Sequence, residues 1–221
     1  MTAPIYFKQL QLGPMQNFVY LIGDPATHEA AVVDPGWEAS RILEAAQQDG
    51  YRIIAAIATH HHFDHVMALG DLLAKADIPV YAHQDDAHLI TISRSNLKPV
   101  ADGDTVSIGR LPVSLVHTPG HTPGSQCLVV HPSTALGTGG LLLTGDTLFI
   151  GSIGRTDLPG GDPRQLYESL NKKIKPMDDA TTLCPGHDYG ETPTAPLGEE
   201  KRRNPFLKAS TLHDFLRLTG G

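Results

Sequence analysis

The chain is poor in cysteine, in aromatic side chains and in cations, and each shortage removes a class of protein. Its 221 residues include two cysteines, Cys127 and Cys184, far apart and outside any Cys-x-x-Cys pattern. Neither a disulfide framework nor a thiolate metal knuckle is expected, and both read as small buried hydrophobes in a reducing compartment. Aromatic residues make up 6% of the chain, and 17 Lys and Arg stand against 24 Asp and Glu, for a net charge of −7. The basic residues are scattered apart from the short run Lys201-Arg202-Arg203, so there is no electrostatic footprint for a phosphate backbone and no nucleic-acid partner is expected. No uncharged apolar run approaches the ~20 residues of a membrane-spanning helix. The opening MTAPIYFKQLQLGPMQ lacks a basic start followed by an apolar stretch. A soluble, cytoplasmic protein without membrane contact is the expectation.

What is present is glycine, proline and histidine: 22, 17 and 12 residues. With 40% hydrophobic and 19% charged residues, the composition predicts one compact α/β domain over residues 1–221, rich in ordered turns and ending in a short helical tail. Ile5 to Leu12, Phe18 to Ile22 and Ala30 to Val33 read as antiparallel strands, the last ending at Asp34-Pro35-Gly36. Glu38 to Gln48 carries helical spacing and Ile53 to Ala58 is an apolar strand. Val66 to Ala76 and Gln84 to Ile92 read as helices around a short strand, Val80 to Ala82. Strands follow at Val113 to His117, Gln126 to Val130 and Leu141 to Thr144, the last two separated by a Gly-rich stretch around Thr138-Gly139-Gly140. Pro163 to Ile174 reads as a helix, Thr181 to Leu183 as a strand and Ala209 to Leu218 as a terminal helix. Strand-rich halves interleaved with helices imply two packed sheets with helices outside them.

The strongest signal is Thr59-His60-His61-His62-Phe63-Asp64-His65, where an apolar strand runs out and a helix begins. If residues 60 to 62 are extended, period two turns His60 and His62 to one side, while Asp64 and His65 at the turn face a neighbouring point. His121 in Pro-Gly-His-Thr-Pro-Gly, Asp146 after Leu-Leu-Leu-Thr-Gly and His187 after Leu-Cys-Pro-Gly repeat one theme: a lone ligand-type side chain beside glycine, near the end of an apolar strand. A metal site at the common end of several strands requires that recurrence. Imidazole and carboxylate without thiolate suit zinc, iron or manganese, so ligand type does not choose the metal; two zinc ions are the expectation, with iron or manganese as alternatives. The other histidines, His28, His61, His83, His88, His117, His131 and His213, show no partner pattern and are expected at the surface or in ordinary hydrogen bonds. Asp34 either hydrogen-bonds a ligand or forms a turn, the first being preferred.

Taken together, these motifs resemble the metallo-β-lactamase superfamily, whose pattern is His-x-His-x-Asp-His followed by a distant His, Asp and His. The resemblance implies a four-layer αββα sandwich with mixed, mostly antiparallel sheets and a site at one edge of both. It implies that His60, His62 and His121 bind one metal ion, that Asp64, His65 and His187 bind a second, and that Asp146 bridges them. A bridging hydroxide would be the nucleophile of a hydrolase, with Asp64 as the catalytic residue that orients it.

Several stretches look like the glyoxalase II branch of thioester hydrolases: Thr59 to His65, the turn around His121, Thr144 to Phe149, Pro185 to Tyr189 and Arg203-Asn204-Pro205-Phe206. That branch implies a small-molecule thioester or ester substrate such as S-lactoylglutathione, with Arg155, Tyr189, Lys201 and Arg202 as substrate contacts. Asp157 departs from it, standing where the branch has an aromatic glutathione contact. A lactonase remains an alternative, as do an Fe(II) persulfide dioxygenase using His60, His121 and Asp146 and a non-hydrolytic diiron redox protein. The dioxygenase family typically has Ala where this chain has Phe63.

Overall fold

The computed structural model describes residues 5–131 and 139–220; residues 1–4, 132–138, which include Thr138 of the Gly-rich stretch, and 221 lie outside them. β1 (Tyr6–Leu12), β2 (Asn17–Asp24) and β3 (Glu29–Val33) form the expected antiparallel meander. A helix, α1 (Ala39–Gln48), then carries the chain back so that β4 (Arg52–Ile57) pairs parallel with β3, as a helical crossover allows. Two short helices, α2 (Phe63–Val66) and α3 (Leu69–Leu73), lead to β5 (Val80–His83), and α4 (Gln84–Ala87) leads to β6 (Leu97–Val100). Both strands add in parallel, giving a six-stranded sheet in sequence order.

The second sheet follows a similar plan. β7 (Thr105–Ile108), β8 (Leu111–His117), β9 (Gln126–Val130) and β10 (Leu141–Gly145) run antiparallel. α5 (Pro163–Ser169), widening into a π-helical turn over Leu170–Ile174, returns the chain to β11 (Thr182–Pro185), parallel to β10. β12 (Ala195–Pro196), α6 (Leu197–Arg203), α7 (Pro205–Lys208) and α8 (Leu212–Thr219) close the chain.

Alternation along the strands builds the layers. Phe18, Tyr20 and Ile22 of β2 face Leu128 and Val130 of β9 in a cluster between the sheets. Val19 and Leu21 point the other way, onto Ile42, Leu69 and Leu72 of the first helical layer. Cys127 and Val129 point onto Leu166, Leu170 and Phe215 of the second. Three apolar clusters therefore separate four layers, the αββα sandwich, and each fully buried Leu, Ile or Phe side chain contributes roughly 1.5–3 kcal/mol.

Several expected elements differ, each for a local reason. Val66 to Ala76 is broken between α2 and α3 because Ala68 N–H donates to Pro35 O (3.1 Å) while the Asp64 carbonyl accepts from Asn17 Nδ2 (3.1 Å). Gln84 to Ile92 is helical only through Ala87, after which tight i to i+3 bonds turn the chain towards β6. Thr211, whose hydroxyl accepts from Asp214 N (3.1 Å), starts the last helix later than expected. β6, β7, β12, α6 and α7 were not anticipated from the sequence; Pro99 inside β6 reads as a breaker, but the strand lies at the sheet edge, where a missing N–H is tolerated. Among the described residues no helix is long and apolar enough to cross a membrane.

Candidate metal centre

The loops after β3, β4, β8, β10 and β11 meet at one edge of the sandwich. There the two sheets are bonded directly, Gln126 N–H donating to Thr59 O and Gln126 Nε2 to Ala58 O, both 2.9 Å. His60, His62 and His121 form one group: His62 Nδ1 lies 3.1 Å from His60 Nε2 and 3.0 Å from His121 Nε2. Asp64, His65 and His187 form another, with His65 Nε2 3.1 Å from His187 Nε2 and Asp64 Oδ2 3.4 Å from His187 Nε2. Asp146 stands between them. Its Oδ2 lies 3.5 Å from His121 Nε2, and its Oδ1 lies 3.4 Å from His65 Nε2 and 3.5 Å from His187 Nε2. All seven residues proposed from the sequence come together.

The outward nitrogens explain why the inward ones can accept a cation. His65 Nδ1 donates to Asp34 Oδ2 (2.9 Å), His121 Nδ1 to Arg155 O (2.7 Å) and His187 Nδ1 to Met15 O (2.9 Å). Thr59 Oγ1 donates to Asp34 Oδ2 (2.7 Å), leaving its lone pair to accept from His60 Nδ1 (3.1 Å). With their protons committed outward, His60, His121 and His187 turn bare Nε2 lone pairs into the centre, where only a cation or a proton held on His65 Nε2 can meet them. Asp146 Oδ1, buried without a hydrogen-bond partner, adds a further unmatched acceptor. The donor set therefore fits a dinuclear metal site. Asp34, His60 and His65 also lie within ligand reach, but both Asp34 oxygens are already engaged by Thr59 and His65.

The electrostatics agree. Burial, with His121 and His61 adjacent, pushes the His62 imidazole down to about 4, and burial beside the other rings pushes His60 well down. Burial also acts to lower His65, but Asp146, Asp34 and Asp64 outweigh it and hold the ring up at about 9. Burial would raise the Asp146 carboxyl, yet His65 and His187 keep it far below the usual carboxylate range. A ring proton and two carboxylates here mark where positive charge is wanted.

Local structure is built around this centre. Asp34 adopts a left-handed backbone, φ 53°, a conformation that costs about 1 kcal/mol or more outside glycine and that clusters at functional sites. A Cβ on Gly36 would lie 1.6 Å from Asp64 O, so only glycine lets this loop pass. Asn17 was not picked out from the sequence: it is buried, donates to Asp64 Oδ2 (2.9 Å) and accepts from Trp37 Nε1 (2.8 Å), fixing the carboxylate's direction.

A cleft of about 530 Å³ opens over the centre, lined by Met15, Phe63, Phe149, Ile153, Leu158 and Tyr189 besides the ligand-type residues. Tyr189 is stacked on His187, ring centroids 4.6 Å apart, and donates its hydroxyl to Met15 O (3.2 Å). Arg155 is the single Lys or Arg among the lining residues, and Asp157 grips it with two hydrogen bonds of 2.9 and 2.8 Å. Lys201 and Arg202 do not line the cleft: Lys201 donates to Asp179 Oδ1 (2.6 Å) and Met177 O, and Arg202 is exposed. It is Arg203 that faces an adjoining hollow of about 590 Å³, which shares Ser152 and Tyr189 with the cleft.

Residues 12–187 match the profile of the Metallo-beta-lactamase superfamily. The "Probable metallo-hydrolase YqgX" of Bacillus subtilis is 32% identical over 93% of this chain and 99% of its own. The human mitochondrial persulfide dioxygenase ETHE1 is 31% identical over 99% of this chain and 82% of its own. Among solved structures, ETHE1 from Myxococcus xanthus superposes with a TM-score of 0.86 at 31% identity, covering 98% of this chain and 90% of that one. TTHA1623 in a di-iron-bound form gives 0.74 at 33% identity, covering 90% and 100%.

Proposed function

The chain belongs to the metallo-beta-lactamase superfamily, and on that footing we propose that it is a dinuclear metal-dependent hydrolase acting on a thioester or related ester. One observation carries the reading: two complete three-residue ligand groups share a carboxylate, Asp146 turning Oδ2 to one and Oδ1 to the other. His60, His62 and His121 would hold one ion, Asp64, His65 and His187 the second. Ions held there would supply Lewis-acid polarisation of a carbonyl and a water acidified to a pKa of about 7. Zinc suits the donor set, and iron suits it equally.

The chain's own residues do the positioning. Asn17 holds Asp64 at the centre, Asp34 fixes the tautomer of His65, and Phe149 and Tyr189 pack edge-on and face-on against His187 to keep bulk water from that side. A thiolate leaves readily, so thioester cleavage needs no strong general acid, and none stands among the described lining residues outside the metal-holding set. The apolar lining, together with an Arg155 neutralised by Asp157, favours a substrate whose acyl portion is neutral and apolar over one anchored by carboxylates.

A second reading has its own support in the resemblance to persulfide dioxygenases along nearly the whole chain: His60, His121 and Asp146 would hold a single Fe(II). One experiment separates the two. Metal content is measured alongside hydrolysis of S-lactoylglutathione and of a neutral acyl thioester by zinc-, iron- and manganese-loaded protein. About two ions per chain with thioester turnover supports the hydrolase. One iron with oxygen uptake on glutathione persulfide overturns it in favour of the dioxygenase.

A further inference from the structure

The first ligand group is assembled from both sheets: His60 and His62 follow β4, whereas His121 sits in the turn between β8 and β9. Gln126 already ties the base of the two loops together through Thr59 O and Ala58 O, and nearer the rings a side chain bonded to both loops is that of Asp86, in the four-residue helix α4 that follows β5. Its side chain is fully buried, 0% exposed. Oδ2 accepts from the His61 backbone N–H (3.0 Å) and from Thr122 Oγ1 (2.7 Å), and Oδ1 accepts from Gly124 N–H (2.7 Å). His61 Nδ1 comes within 2.9 Å of Oδ2 as well, without the alignment of a hydrogen bond.

Two features show that the contact is built in. A Cβ on Gly124 would lie 2.6 Å from both Cβ and Cγ of Asp86, so the turn approaches this side chain as closely as glycine permits. At the start of α4, His83 from the first sheet stacks on His117 from the second, centroids 3.8 Å apart at 9°, closing the sheets together beside the carboxylate. The bonded residues His61 and Thr122 each adjoin ligands, His60 and His62 on one side and His121 on the other.

We infer that Asp86 is the positioning residue of the first ligand group, a buried carboxylate that clamps the His60–His62 loop to the His121 turn so that three imidazoles converge on one ion. Asp34 does the corresponding work for His65 by a bond to the ring itself, whereas Asp86 bonds backbone and hydroxyl groups beside the ligands. The inference rests on the dinuclear reading and is independent of the substrate.

The test reads metal, not turnover. Stepwise titration of metal-free protein with Co(II), followed by its visible absorption and by competition with a chelator, resolves two binding steps. Asp86→Ala is expected to weaken one step by about 10–100-fold, the range found when a group supporting a ligand is removed, and to leave the other near wild type. Asp86→Glu, which keeps the charge, is expected to recover part of the loss. Asp24→Ala serves as a control: it removes another buried carboxylate, at the far end of β2, and is expected to lower thermal stability without changing either step. Two wild-type affinities in Asp86→Ala would overturn the inference. If that variant does not fold, Thr122→Val keeps the carboxylate and removes only the hydroxyl's bonds, to Asp86 Oδ2 (2.7 Å) and within the turn to Ser125 Oγ (2.8 Å), and an unchanged first step in it has the same force. A wild-type chain that binds only one ion would refute the dinuclear reading, and it would refute the Asp86 assignment too if that ion binds Asp86→Ala unchanged.

Discussion

Asp34 Oδ2 lies 2.9 Å from His65 Nδ1 and 2.7 Å from Thr59 Oγ1, so one oxygen sets the proton position of a ring in each ligand group, directly for His65 and through the threonine hydroxyl for His60. Its other oxygen accepts from Thr59 N–H at 2.7 Å. Every hydrogen pointing at this carboxylate is a donor's, which makes Asp34→Asn a sharper probe than its size suggests. Whichever way the amide turns, its NH₂ faces a donor. Facing His65, it forces the ring to accept there and moves the imidazole proton to the metal side. The expected outcome is a loss of roughly 10–100-fold in metal affinity with the fold retained, read by chelator competition and circular dichroism. Wild-type affinity would show that His65 is not a ligand in that tautomer.

The pH dependence of metal uptake follows from His65. Its pKa is raised from 6.5 to about 9 by Asp146, Asp34 and Asp64, against the opposing effect of burial. In the metal-free chain this raised value contributes stability that is fully present below the unfolded pKa and is lost as pH rises through about 9. Metal binding needs the unprotonated ring. Affinity for the second ion should therefore rise by up to about tenfold per pH unit through the neutral range and level off near the folded pKa. Calorimetry in buffers of different ionisation heat should find about one proton released at neutral pH, and none released would contradict the assignment.

How far these residues could be read in advance depended on where their partners lie. The side chains that gather at the centre were legible because each carries its own signal: alternate histidines where a strand ends, or a lone His or Asp beside glycine. Asn17 and Asp86 were not, because what defines them is a bond to a residue 47 positions away in one case and 36 or 38 in the other. His83 and His117 were set aside as lacking a partner pattern, and the structure stacks them across two sheets. Arg203 rather than Lys201 or Arg202 faces the hollow beside the cleft because each step along α6 turns a side chain by about 100°, and sequence alone did not fix the phase of that helix. The layers were legible from strand alternation, but the break between α2 and α3 was not, since it answers to Asn17 and Pro35 rather than to local propensity.

Both thiols should be inert in the native protein. Cys127 and Cys184 are fully buried, and burial pushes them up to about 11 and about 12. The thiolate is the reactive form, so almost none is present at mildly alkaline pH. Ellman's reagent is expected to give no rapid reaction with folded protein and two equivalents per chain in guanidinium. Fast labelling of either cysteine without denaturant would show that the sandwich opens locally at β9 or β11.

Phe63 is 58% exposed although it sits inside the ligand motif, its ring 6.3 Å from Trp37 in an edge-on arrangement at the mouth of the cleft. An aromatic side chain held so open adds little to the core, so Phe63→Ala should change stability by no more than about 0.5 kcal/mol and leave metal content unaltered. Its apolar surface is available to a substrate instead. If the acyl portion packs there, the variant should raise KM for an apolar acyl thioester by about tenfold, some 1.4 kcal/mol of lost binding. The value of kcat should be little changed, because the contact is made equally in ground and transition states. A small polar acyl group, which gains little from the ring, should show a much smaller increase. Equal KM values for wild type and variant on both substrates would remove Phe63 from the binding surface and with it the preference for an apolar acyl group, while a fall in kcat alone would move the residue into the chemistry of the centre.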